Sequence, residues 1–191
     1  RVARFAARFG FRIADETMAL MKLMVDNGEA DHLVAERVWQ EFARGLSEAH
    51  PELMFDALER CDFRPKLLPE LTDIPRRFHG SLPVRFAVLC WPLEEEEVRG
   101  LCARLRAPNE ERDIALVACR CKGMLATRRP AEVLALFKSA DALRRPERFA
   151  QFLEAAAQRA PDIRTDPLQA ALEARSEEHT SELQSLAYLV C

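Results

Sequence analysis

The distribution of proline and glycine most constrains the fold of this chain. Eleven prolines and six glycines divide its 191 residues into short segments. Nearly every segment places its apolar residues with a period near 3.6, which is the period of an amphipathic helix. No segment alternates apolar and polar residues as a half-buried strand does. We therefore predict an all-α fold, an array of several helices with no sheet.

Composition places the chain among globular proteins. Hydrophobic residues make up 49% of it and charged residues 31%, and no apolar run is long enough to span a bilayer. The formal net charge of −3 excludes a uniformly basic surface, so any contact with nucleic acid must be local. No secretory signal is visible at the N-terminus, but a truncated start makes that observation uninformative. We expect a cytoplasmic protein because the cysteines fit free thiols in a reducing cytosol.

The six cysteines are predicted to be free thiols. Cys61, Cys90, Cys102 and Cys119 lie among apolar residues in helical patterns, as small core residues do. Cys119 and Cys121 are only two positions apart, which is too close for the usual pair of zinc ligands. We predict no metal site from these residues.

The chain opens with an amphipathic helix that Gly10 ends, because glycine enters the left-handed conformation at little cost. Val2, Phe5 and Phe9 fall at helical spacing on one face, and we expect the two phenylalanines to pack in the core. No capping residue precedes this helix in the chain, so its natural start is expected upstream.

A second face of the same helix carries Arg1, Arg4 and Arg8. A spacing of three residues places Arg1 and Arg4 side by side, and planar forked donors suit phosphate oxygens. A solvated or salt-bridged face is the alternative reading of such a stripe.

Two more helices are predicted before residue 50. The first begins near Asp15 and stops at residues 27–28, with Leu20, Met21 and Met24 facing inward. The second presents apolar residues to the core and pairs Arg37 with Glu41 at one-turn spacing, chiefly as structural bracing.

Later helices are predicted to begin at Pro51, Pro83, Pro130 and Pro146, at an acidic run over residues 94–97, and at Asn109. Proline suits the first turn of a helix, and negative charge suits its N-terminal dipole. The acidic run is therefore interpreted as a helix start and not as a metal site.

Seven segments together resemble the neck and body of bacterial CCA-adding enzymes, the tRNA nucleotidyltransferases. They are residues 1–17 (RVARFAARFGFRIADET), 36–46 (ERVWQEFARGL), 55–61, 66–71, 83–90, 101–110 and 136–146. In that family a catalytic head domain precedes the neck. The resemblance therefore implies a fragment without the head, and we expect the fragment alone to be inactive.

The resemblance implies a function for the parent protein, namely adding or repairing the 3′ CCA end of tRNA. ATP and CTP are its substrates, tRNA is its partner, and Mg²⁺ is held by the head domain. Arg1 and Arg4 match the family pattern Arg-x-x-Arg, which implies that they contact the bound ATP or CTP. No catalytic residue is expected within this chain.

The resemblance also divides the chain. Residues 1–61 would be neck helices, residues 62–82 an irregular connection rich in proline, and residues 83–174 a helical body like a degenerate HD-type domain. Residues 175–191 read as the translated sequence of a DNA-sequencing adapter, and we exclude them from the fold. A genuine C-terminal helix with a Ser-Glu-Glu capping start is the alternative.

Seven basic residues of the body are candidate RNA contacts, although ordinary solvated charge explains each of them as well. They are Arg120, Lys122, Arg128, Arg129, Arg144, Arg145 and Arg148.

A non-catalytic helical interaction module, derived from a phosphohydrolase scaffold, is the alternative function. Relatives often carry a metal-binding His-Asp pair where this chain has Trp91 and Pro92, and His79 stands alone where relatives have several histidines. One histidine cannot hold a divalent metal, so we predict no phosphohydrolase activity. Trp91 is predicted to pack in the core and not to stack on RNA.

Overall fold

A computed structural model describes residues 1–126 and 129–174, and all the regular secondary structure within them is helical. This confirms the predicted all-α fold. The α-helices are α1 (Val2–Phe9), α2 (Asp15–Asp26), α3 (Ala35–Ser47), α4 (Pro51–Arg60), α5 (Arg64–Leu67), α6 (Leu82–Cys90), α7 (Glu95–Leu105), α8 (Asn109–Cys121), α9 (Pro130–Ala140) and α10 (Pro146–Arg159). Residues 29–32 and 122–124 form short 3₁₀ helices, and residues 166–174 are also helical. Among the described helices, none has the length and apolar character needed to cross a membrane.

The helices begin and end largely where the sequence predicts. Proline occupies the first turn of α4, α9 and α10, and Gly10 ends α1 with a φ of 68°. The acidic run forms a capping box at the start of α7, in which the backbone N–H of Glu94 donates to Oε2 of Glu97 over 2.8 Å. These local signals fix the boundaries because each one satisfies or avoids an unpaired backbone group.

Helix α8 is the centre of the second half of the fold. It packs against α6, α7, α9 and α10, and its residues Ala115, Ala118 and Cys121 are fully buried. Small side chains at these positions let the neighbouring helices approach closely. Buried aromatic rings pack between two of these neighbours, where Phe137 of α9 meets Phe149 of α10 edge to face with centroids 5.4 Å apart.

Helix α1 packs on α3 and α4 through alanines and not through its phenylalanines. Ala3, Ala6 and Ala7 are buried, whereas Phe5 is 36% and Phe9 63% exposed. The predicted core packing of Phe5 and Phe9 is therefore wrong. The small face brings the backbones close enough for the N–H of His50 to donate to the carbonyl of Ala7 over 2.9 Å, which satisfies a carbonyl at the end of α1.

Helix α2 is turned away from its predicted orientation. Leu20 is 57% and Met24 42% exposed, and Met18 and Val25 are buried instead. Apolar residues cover most of the circumference of this helix, so two stripes of equal spacing were available. The expectation that Leu20 and Met24 face inward is wrong, while Met21 packs against the core.

Contacts join the first four helices to the later ones. Trp39 of α3 meets Phe86 of α6 edge to face with centroids 5.4 Å apart. Arg85 of α6 donates from Nη1 to the carbonyls of Leu46 and Glu48, at 2.8 and 3.0 Å. The buried side chains accordingly form one continuous core, and the division into neck, connection and body stays a prediction.

Candidate functional site

A cavity of about 700 Å³ opens between α1, α3 and α4. Its basic lining residues are Arg1, Arg4, His32 and Arg37. Glu41 is the acidic residue of the lining, and Leu33, Val38, Phe42, Met54 and Leu58 are among its apolar members. An apolar wall with several convergent cations is an arrangement that suits a ligand combining a ring with negative charge.

Arg4 is held in place by Glu41. Its Nε donates to Oε2 of Glu41 over 2.8 Å, and its guanidinium carbon lies 4.6 Å from the centre of the Phe5 ring. The Arg4 side chain is 13% exposed. Within the described part of the chain its two terminal nitrogens have no hydrogen-bond partner, so they remain available to an anion in the cavity.

Arg1 reaches the same carboxylate more loosely. Its Nε lies 3.7 Å from Oε1 of Glu41, and its side chain is 82% exposed. The structure thus brings Arg1 and Arg4 together at one cavity, as their spacing of three predicts. Their contact with a nucleotide stays a prediction.

Arg37 does not pair with Glu41, contrary to the prediction from their one-turn spacing. Glu41 contacts Arg1 and Arg4, and Arg37 makes no ion pair within the described ranges. Glu41 does brace the structure, but it does so between α1 and α3. Arg37 is instead an exposed cation at the cavity, a position that pairwise spacing along one helix could not reveal.

Two of the candidate RNA contacts on the body are engaged in holding the fold. Lys122 donates to the carbonyls of Trp91 and Leu93 at 3.1 and 2.8 Å. Arg148 donates to the carbonyl of Ala140 at the end of α9 over 2.7 Å, and its side chain is 18% exposed. These bonds satisfy carbonyls at helix ends and in a turn, a role that basic residues near helix C-termini often take.

The other candidates are more exposed. Arg120 lies 3.3 Å from Glu95, and Arg145 lies 3.6 Å from Asp113. Arg129 is 84% exposed, and Arg144 is exposed without an ion pair in the described ranges. Arg128 lies outside the described residues, and so does the segment 175–191. The RNA contacts of all these residues stay predictions.

Trp91 and His79 both make contacts that hold the fold together. The Trp91 ring stacks on Phe152 with centroids 6.3 Å apart, which agrees with the predicted packing role. The backbone N–H of His79 donates to Gln158 over 2.9 Å, and the amide of Gln158 donates back to the carbonyl of His79 over 3.2 Å. Within the described ranges no group of three or more His, Cys, Asp or Glu is placed to hold a metal ion.

The described cysteines behave as core residues. Cys61, Cys90, Cys102, Cys119 and Cys121 are buried and free. Burial raises the pKa of Cys102, Cys119 and Cys121 to about 11, and it raises the pKa of Cys90 well above its ordinary value. Thiols in this state are poor nucleophiles near neutral pH.

Comparison with known proteins bears on the cavity. A family model described as the probable RNA and SrmB-binding site of polymerase A matches residues 10–74. That segment includes α3, α4 and most of the cavity lining.

Several multifunctional CCA proteins, all longer than this chain, align with most of its residues. The chain is 44% identical to a multifunctional CCA protein of Burkholderia vietnamiensis over 203 residues, which cover 81% of this chain and 49% of the relative. It is 43% identical to the multifunctional CCA protein of Dechloromonas aromatica over 81% of the chain and 49% of the relative. The corresponding protein of an Azoarcus species is also 43% identical, over 82% of the chain and 50% of the relative.

No solved structure matches the chain. The alignment with the Burkholderia relative spans 203 residues but includes only about 155 residues of this chain. The relative therefore has additional residues within the aligned segment. The chain spans about half the length of the relatives it matches. Over 81–82% of its own length the chain is therefore similar to one part of the multifunctional CCA proteins.

Proposed function

We propose that this chain is the RNA-binding and nucleotide-contacting part of a CCA-adding tRNA nucleotidyltransferase. Its partner would be tRNA, and ATP and CTP would be the substrates of the whole enzyme. The observation that carries the proposal is the cavity at which α1 brings two arginines to the RNA-binding segment matched by the family model.

The charges at the cavity support a phosphate ligand. Arg4 is oriented by Glu41 through its Nε, which leaves the forked end of the guanidinium to bind phosphate oxygens. Arg1 and Arg37 add two exposed cations at the mouth. Together they outnumber the one carboxylate of Glu41, so the cavity keeps a positive balance.

In this proposal the described residues of the chain hold no metal ion. Mg²⁺ would be held in the part of the relatives' length that this chain does not span. Residues of this chain would bind and orient the nucleotide and the RNA, and the transfer of CMP or AMP would take place on groups supplied by that other part.

Binding of tRNA to the chain tests the proposal. A tRNA ending before its CCA sequence should bind with an affinity that falls steeply with salt concentration, because phosphate contacts release counterions. Arg4→Gln should weaken the binding of ATP and CTP, while Arg12→Gln, which neutralises an arginine that does not line the cavity, should not.

Two results would contradict the proposal. If the chain does not bind tRNA at low salt, the result would instead favour the non-catalytic interaction module. Incorporation of CMP into tRNA by this chain alone would show that the division of roles is wrong.

A further inference from the structure

A second basic opening lies between α7 and α8. This cleft of about 620 Å³ is lined by Arg99, Cys102, Ala103, Arg106, Ala107 and Arg112. Three of its six lining residues are arginines, and none is acidic. Cys102 is buried, so the cleft has a small uncharged floor and a cationic rim.

The side chains of Arg99, Arg106 and Arg112 are 49%, 68% and 39% exposed, and each of them contacts one carboxylate. Arg106 lies 4.0 Å from Glu36, and Arg112 lies 3.4 Å from its chain neighbour Asp113. Arg99 pairs more closely, because its Nη2 donates a hydrogen bond to Oε1 of Glu95 one turn away on the same helix. Ion pairs between such exposed side chains are weak, so an incoming anion can replace them.

The cleft adjoins the cavity of α1 and α3. Glu36, the partner of Arg106, immediately precedes Arg37, which lines the cavity. Arg106 is therefore linked to Arg37 of the cavity by its contact with Glu36 and one peptide bond. A ligand with regularly spaced negative charges could engage both openings at once.

From this juxtaposition we infer that Arg99, Arg106 and Arg112 form a phosphate-binding site for the RNA backbone, continuous with the cavity. The inference rests on the proposed function, because it assigns the second opening to the same RNA ligand. It also moves the phosphate contact on the body from Lys122 and Arg148, which are engaged with backbone carbonyls, to arginines that sequence reasoning did not select. Guanidinium groups at the rim of a cleft bind phosphodiester oxygens with two parallel donors.

The test compares two triple variants of the full chain that change the same net charge. One is Arg99→Gln, Arg106→Gln and Arg112→Gln. The matched control is Arg60→Gln, Lys138→Gln and Arg164→Gln, three exposed cations that line neither opening. The affinity for tRNA is measured by fluorescence anisotropy over a range of salt concentrations, and thermal unfolding checks that both variants fold.

The cleft variant should lose about tenfold in affinity at low salt, and its slope of log affinity against log salt should decrease by about two. The control should keep the slope of the parent chain. Equal losses in both variants, or none in the cleft variant, would overturn the inference while leaving the proposed function standing. Failure of the parent chain to bind tRNA would instead overturn the proposed function, and the inference with it.

A gain of affinity provides an independent check. Glu36→Gln removes the carboxylate between the two openings and releases Arg106, so it should tighten tRNA binding. Glu16→Gln removes an exposed carboxylate elsewhere and should tighten it less. An equal effect of the two substitutions would contradict the placement of the RNA at the cleft.

Discussion

Nε of Arg4 and Oε2 of Glu41 lie 2.8 Å apart and join α1 to α3 across 37 positions of sequence. Both side chains are largely covered, with 13% and 27% of their surfaces exposed. A charged hydrogen bond in such a place both stabilises the helix pair and fixes the direction of the guanidinium.

We predict that Glu41→Gln lowers the free energy of unfolding by about 1–2 kcal/mol, because the covered charge of Arg4 loses its partner. For a chain of this size each kcal/mol corresponds to a fall in Tm of about 2–4 °C. Glu36→Gln is the control, since Glu36 and Arg106 are exposed and 4.0 Å apart. Equal Tm shifts in the two variants would show that the Arg4–Glu41 bond does not hold α1.

Two glycines on helices should respond oppositely to alanine. A Cβ added at Gly45 would overlap Sδ of Met54, a buried side chain of α4, whereas a Cβ at Gly100 meets no atom within 4 Å. We expect Gly45→Ala to destabilise by about 1–3 kcal/mol through overpacking. Gly100→Ala should stabilise by up to about 1 kcal/mol, because alanine loses less backbone entropy in a helix. Chemical denaturation of both variants measures the difference, and a stable Gly45→Ala protein would mean that α3 and α4 are farther apart.

Thiol labelling should report the burial of the core. In a Cys191→Ser variant, which removes the cysteine beyond the described residues, the five remaining thiols should resist a disulfide reagent at pH 8. Burial raises their pKa values, so the reactive thiolate is scarce as well as inaccessible. All five should react once the protein is denatured. Rapid labelling of any one in the folded protein would contradict its placement.

Acid should weaken the contact between the 62–82 connection and α7. Arg104 donates to both oxygens of Glu70, at 2.9 and 2.7 Å. Burial, the largest single influence, acts to raise the pKa of Glu70. The hydrogen bonds from Arg104, a backbone hydrogen bond and the charge of Arg104 together outweigh it and hold the pKa below the ordinary value of 4.5. A lowered folded pKa contributes stability that is present above the unfolded value and lost as the pH falls through the folded one.

The measurement is the stability difference between the parent chain and Glu70→Gln as a function of pH. The parent should be more stable by about 0.5–1 kcal/mol at pH 7, as is typical of a partly exposed ion pair. The difference should shrink as the pH drops below 4.5. A difference that does not change with pH would show that the carboxylate charge contributes nothing.

Helix boundaries were predictable because each depends on neighbouring residues only. Proline at the start of α4, glycine after α1 and the capping box of α7 act within one turn. The all-α fold follows from the same local signals. A buried face follows from the sequence where apolar residues form one stripe, as Val98, Leu101 and Leu105 do in α7.

The orientation of α1 and α2 was not predictable from periodicity. Phenylalanine has more apolar surface than alanine, so the Phe5 and Phe9 face appeared to be the buried one. The structure packs Ala6 and Ala7 instead, because a small face allows the backbone contact with His50. In α2 the apolar residues leave two stripes equally plausible, and only tertiary packing distinguishes them.

The candidate site was predictable only in part. Arg1 and Arg4 share a helix face, so their meeting at one cavity follows from a spacing of three. Arg106 lies near Glu36 only because α7 packs against α3, and no spacing along the chain encodes that contact. Basic residues such as Lys122 were indistinguishable from ligand-binding ones in the sequence, since both kinds lie near helix ends.

The central position of α8 has a consequence for the dynamics of the chain. Backbone amides of a helix enclosed by four others can exchange with solvent only when those neighbours separate, which amounts to global unfolding. Amides near Ala115 and Ala118 should therefore be the slowest to take up deuterium, and their exchange should measure the stability of the whole protein. Helix α2, with Leu20, Leu23 and Met24 exposed, should open first and exchange long before the rest.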